Sequence, residues 1–163
     1  MAFTGSPAES DQRAMAVVGP QFHVKDGWFV THGKWTHTAS QGAGVGEINI
    51  VTLPAGKKLI DTDRSWVRTS GVAFVEASDL HIGFRAYNKP DTNTALQAVA
   101  QDDNYFADDR DVGGAPLDES FTLPGGEVEI DSDGLFHIYV MIDTADISEG
   151  SIIEVWVVWK PQL

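Results

Sequence analysis

The chain has 163 residues, no cysteine, and 11 Lys+Arg against 24 Asp+Glu, for a net charge of −13. That length fits one domain able to bury a sizeable core without a staple. The lack of cysteine excludes disulfide frameworks, thiolate metal sites and cysteine nucleophiles, and the negative field disfavours nucleic acid and anionic membranes as partners.

In chain order, residues 1–14 are mostly small or polar and read as an extended N-terminal arm, ahead of a domain over 15–163. The first ten residues have neither a basic stretch nor an apolar run, so no cleaved signal is expected. Trp28 and Val30 alternate with Phe29 and Thr31. Gly42-Ala-Gly44-Val-Gly46 has dinucleotide-loop composition but leads into a strand instead of opening a helix, so a plain loop is expected. Ile48 and Ile50 then alternate with Asn49 and Val51, and Val72 and Phe74 with Ala73 and Val75. From Leu80 the pattern puts Leu80, Ile82, Phe84 and Ala86 inward, and His81, Gly83, Arg85 and Tyr87 outward. Leu96, Ala98 and Ala100 alternate as in a strand, although residues 94–101 also have the composition of two helical turns.

Residues 102–116 read as a long acidic loop around Tyr105 and Phe106. After it, Phe136, Ile138, Val140 and Ile142 form one face of a strand, with His137, Tyr139 and Met141 on the other. The last strand differs. Ile153, Val155, Val157 and Trp159 make one apolar face, and Ile152, Trp156 and Val158 make the other nearly as apolar. Such a strand is central in a sandwich or lies at a subunit interface. Turn signals separate the runs at Lys25-Asp26-Gly27, Leu53-Pro54-Ala55-Gly56, Pro124-Gly125-Gly126, Asp131-Ser132-Asp133-Gly134 and Ser148-Glu149-Gly150; the fourth reads as a hairpin turn. The expected fold is all-β, an antiparallel β-sandwich of jelly-roll-like type with an extended N-terminal arm.

Candidate chemistry is sparse. Asp102, Asp103, Asp108, Asp109 and Asp111 are oxygen-rich enough to suggest calcium, but their spacing is not that of an EF-hand, and a solvated loop is expected. His23, His32, His37, His81 and His137 show no metal-ligand spacing, so neither a metal nor another cofactor is expected. No G-x-S-x-G elbow occurs, and no enzyme is expected. Five tryptophans are many for this length. Trp35 and Trp156 lean outward in the alternation and are interface candidates.

One stretch is more specific. Gly46-Glu-Ile-Asn-Ile-Val-Thr-Leu-Pro-Ala-Gly-Lys-Lys-Leu-Ile-Asp61 continues to Ala77-Ser-Asp-Leu-His-Ile-Gly-Phe84, and Asp103-Asn-Tyr-Phe106 precedes Asp111-Val112. This resembles a group of tailed-bacteriophage structural proteins, in which an apolar strand enters a Leu-Pro-Ala-Gly turn and a Leu-x-Ile-Gly strand follows. The two last strands, joined at Glu149-Gly150, also agree. The resemblance runs from about residue 46 to 159 and implies a small β-sandwich virion component of the capsid-decoration (cement) type, without catalytic residues.

The resulting expectation is a non-enzymatic protein at the capsid surface of a virion, a homo-oligomer (trimer) bound to the major capsid protein. Phe3, Pro7, Trp28 and Trp35 are the expected capsid contacts, and Trp156 and Val158 the expected subunit interface. The alternative is a receptor- or carbohydrate-binding module of a phage tail or fibre.

Overall fold

Period-two alternation carries most of the described chain into strands. The structure is a computed structural model that describes residues 21–23, 26–38, 46–75, 78–90, 95–143 and 147–162. The expected arm falls outside the described residues, as do residues 39–45 with most of the glycine-rich loop. The strands are β1 (Gln21–His23), β2 (Phe29–Thr36), β3 (Gly46–Leu53), β4 (Gly56–Gly71), β5 (Asp79–Phe84) and β6 (Tyr87–Pro90). They continue with β7 (Leu96–Val99), β8 (Asp102–Asp111), β9 (Asp118–Ser120), β10 (Glu127–Ser132), β11 (Phe136–Asp143) and β12 (Ser151–Pro161).

Two sheets form the sandwich. The larger runs β1-β2-β12-β4-β10, with β9 also on β4, and the smaller runs β3-β11-β5-β8. All pairings are antiparallel. The hairpin β6-β7 stands beside them. Taking β2, β3, β4, β5, β8, β10, β11 and β12 in chain order, the chain changes sheet at every step except from β5 to β8. Four strands of alternating origin in each layer, interleaved this way, make a jelly roll.

The core lies between the layers. Ile48, Ile50, Leu80, Ile82, Ile138 and Val140 enter from the smaller sheet, and Ile60, Val67, Ile153, Val155 and Val157 from the larger. Each such side chain contributes about 1.5–3 kcal/mol on burial. Phe84 packs edge-on to Tyr87 and Tyr105, extending the core under the β6-β7 hairpin.

Several expectations change. Residues 102–111 are strand β8, not a loop, with Phe106 and Ala107 buried. Residues 72–75 follow β4 as irregular chain, with Val72 and Val75 exposed and only Phe74 buried. The turn at Asp131-Ser132-Asp133-Gly134 is not a hairpin: it carries the chain from β10 in one sheet to β11 in the other. The turns at Leu53-Pro54-Ala55-Gly56 and Glu149-Gly150 likewise cross between layers. By contrast, β1 and β2 pair as a hairpin, with Asp26 and Gly27 in the connection between them, both at positive φ (58° and 80°).

Candidate functional site

The outer face of the larger sheet carries an aromatic patch, built by the last strand. On β12, Ile153, Val155, Val157 and Trp159 point into the core, so Trp156 and Val158 point out. Trp156 pairs with His32 on β2 and with Trp66 on β4. Trp66 is 46% exposed, the largest aromatic surface among the described residues. The two indoles meet edge-on at 6.0 Å.

The wall of the patch comes from an irregularity in β4. The β4-β12 register shifts between Trp156 and Val158, which leaves residues 62–65 looped out of the ladder. Two side chains close this loop locally. Ser65 Oγ donates to the Asp61 carbonyl (2.6 Å) and accepts the Val158 amide (2.8 Å). The Asp61 carboxylate accepts the amide and Nε of Arg64 (3.0 and 2.6 Å). Asp63 and Arg64 are pushed outward as a result. With Val30, Trp66, Trp156 and Val158 they line an open groove of about 440 Å³.

Trp156 is held from both neighbouring strands. The His32 ring stacks on it at 4.7 Å from β2, and the Arg68 guanidinium lies 5.2 Å from its centroid on the β4 side. Glu154 ties these partners together, with contacts to Arg68 (2.7 Å) and His32 (3.3 Å). Burial pulls the His32 imidazole below its ordinary value, against the pull of Glu154. Burial would raise the Glu154 carboxyl, but the Arg68 hydrogen bond and charge outweigh it and hold the group below its ordinary value.

Trp156 and Val158 thus sit in the groove, beside Val30 and Trp66, which sequence reasoning did not single out as interface residues. The even spacing of Trp66 and Arg68 in β4 was the available signal. Trp35 was expected to lean outward, but it is fully buried because it shares the inward face of β2 with Thr31 and Gly33. Trp28 is also buried, under Arg64 (4.5 Å) and Lys160 (4.6 Å). Neither ring is available to a partner in this form. Phe3 and Pro7 lie outside the described residues.

The opposite outer face, on the smaller sheet, is acidic. β8 brings Asp108 and Asp109 to His81 of β5, and β11 brings Asp143. The imidazole Nδ1 lies 3.0 Å from Asp108, and Nε2 lies 3.2 Å from Asp143 and 3.5 Å from Asp109. His81, Asp108 and Asp109 each offer a metal-ligand atom, all within 4.8 Å of one another, a convergence that linear spacing did not reveal. The same histidine nitrogens are engaged with the Asp108 and Asp143 carboxylates in a hydrogen-bonded network. Further along this face, Arg85 contacts Glu47, donates to Asn49 (2.6 Å) and lies over the Tyr139 ring (4.2 Å). Tyr139 donates to Asp103; burial and that bond raise the phenol above its ordinary value, and the same bond holds the Asp103 carboxyl below its own.

No family model matches the sequence, and no curated protein does. A similar solved chain belongs to the acidic stable capsid structure of Helicobacter pylori bacteriophage KHP30. The identity is 12% and the TM-score 0.43, with 88% of this chain and 95% of that chain covered. At that level the likeness carries no argument about function.

Proposed function

We propose that the chain is a non-enzymatic virion structural protein that binds the outside of a phage capsid and stabilises it. The observation that supports this best is where the phage-like segments fall. The Leu53-Pro54-Ala55-Gly56 turn is the corner from β3 to β4, Leu80-His81-Ile82-Gly83 lies in β5, and Asp103-Asn104-Tyr105-Phe106 lies in β8. They are successive parts of one jelly roll, an architecture used by viral capsid and lectin domains alike, so the fold alone does not decide between them.

A decoration protein needs a broad contact surface more than a deep pocket, and repetition over a lattice multiplies a weak contact into firm attachment. In this reading the partner is the major capsid protein, and the arm reaches it through Phe3 and Pro7. Trp28 and Trp35, being buried, drop out as contacts. The rival reading, a sugar-binding tail or fibre module, asks for an indole with a free face. Both sides of Trp156 are flanked, which counts against that ring as a sugar platform.

The test is the number of copies of this chain per purified particle, by quantitative mass spectrometry of virions. Hundreds are expected for a decoration protein. A handful would move the chain to a tail or vertex, and none would remove the virion role. Deleting residues 1–12 should weaken attachment to capsids while leaving the melting temperature of the domain unchanged.

A further inference from the structure

We propose that the outer face of β2-β12-β4 is covered by a second copy of this chain, docked over Val30, Trp66, Trp156 and Val158. The inference rests on the face itself, so it stands or falls separately from the virion role. Three observations carry it.

First, the groove floor is apolar and open, and its exposed centre is Trp66, in the middle of a sheet rather than at a loop tip. Tryptophan with a surrounding ring of charged side chains is the composition of an interface centre. Second, Trp156 is flanked on both faces, so the free surface is its edge beside the exposed Trp66 indole and the half-buried Val30. That suits another packed side-chain surface better than a flat ligand. Face-to-face stacking of sheets is a stable arrangement at about 10 Å separation.

Third, charge selects the partner. Two copies of a −13 chain repel over most of their surfaces. The groove is an exception. Lys34, Arg64, Arg68 and Lys160 stand around it, balanced by Asp61, Asp63, Asp118 and Glu154. The opposite outer face sets Asp103, Asp108, Asp109, Asp143 and Glu47 against Arg85. Meeting groove to groove therefore costs less repulsion than meeting through the acidic face. The side-by-side arginines and carboxylates also allow reciprocal pairing about a two-fold axis.

The experiment is the solution mass of the full chain by light scattering across a concentration series, for wild type, Trp66→Glu and Trp66→Ser. Wild type should form an oligomer. Trp66→Glu should weaken association at least about 30-fold, and Trp66→Ser should weaken it less. Trp66 is exposed, so a thermal melt should show both variants folded; if Trp66→Glu unfolds, the Ser variant decides. A wild type that stays monomeric at 0.5 mM, or folded variants that associate as tightly as wild type, would overturn the proposal. Neither result bears on the copy number in virions, which tests the virion role by itself.

Discussion

Lys58 is fully buried between the sheets, where its register partner Ile130 and its neighbour Ile60 also point inward. Its ammonium donates to the Gly56 carbonyl (2.6 Å) and Ser132 Oγ (2.9 Å) and sits 5.6 Å from the Phe136 ring centre. Burial pulls its pKa down from 10.5 to about 8, against a weaker pull from Asp131. Between pH 8 and 10.5 the unfolded chain therefore holds more protons than the folded one, so stability rises with pH across that window. Below pH 8 the buried charge imposes its full cost, about 3 kcal/mol. Lys58→Met should remove this cost and stabilise the protein at pH 7. Ser132 Oγ still donates to the Gly134 carbonyl (2.8 Å) without the lysine. Urea unfolding of both proteins at pH 7 and 9.5 checks it: their difference should shrink at the higher pH, and a constant or growing difference would refute the assignment. The sequence held a trace of this, since Lys58 and Ile60 share a strand face. A lysine next to a Pro-Ala-Gly turn nevertheless reads as solvated until the pairing with β10 is known.

Alternation made β5, β11 and β12 legible, because each buries one face against the other layer and a one-residue slip would turn that face to water. β8 was not legible. Its register with β5 shifts twice, around Ile82, so the buried pair Phe106 and Ala107 breaks the period, and aspartates occupy the outer side. Turn signals marked where the chain bends, but not whether it stays in its sheet, since a corner and a hairpin use the same glycines and aspartates. The crossing of β2 over β3 was equally hidden. A Cβ built on Gly33 would lie 1.9 Å from the Ile50 carbonyl oxygen and 2.9 Å from Ile50 Cγ1. The obstacle is backbone, so no rotamer change relieves it. Gly33→Ala should cost about 3 kcal/mol or more and lower the melting temperature by roughly 10 °C. Differential scanning calorimetry would decide, and a loss below 2 °C would show that the two layers are free to move apart there.

Charge is distributed unevenly between the layers: most described cations lie on the larger sheet, where they offset its carboxylates, and the outer face of the smaller sheet is left with an excess of carboxylates. Composition predicted the excess of negative charge; only the strand order shows where it collects, because β8 and β11 converge on β5 from distant parts of the chain. Three carboxylates around the single imidazole of His81 repel one another, and salt screens that repulsion over about 10 Å at 0.1 M. Raising NaCl from 20 to 500 mM should therefore raise the melting temperature by a few degrees. Asp109 is the residue to neutralise. Its side chain is 79% exposed, it lies farther from His81 than Asp108 or Asp143 does, and its φ of 46° suits asparagine as well as aspartate. Asp109→Asn should melt higher than wild type at 20 mM NaCl, with the gap closing at 500 mM. A variant that melts lower at 20 mM would mean that the third carboxylate binds His81 more strongly than it repels its neighbours, and that the acidic face is a source of stability.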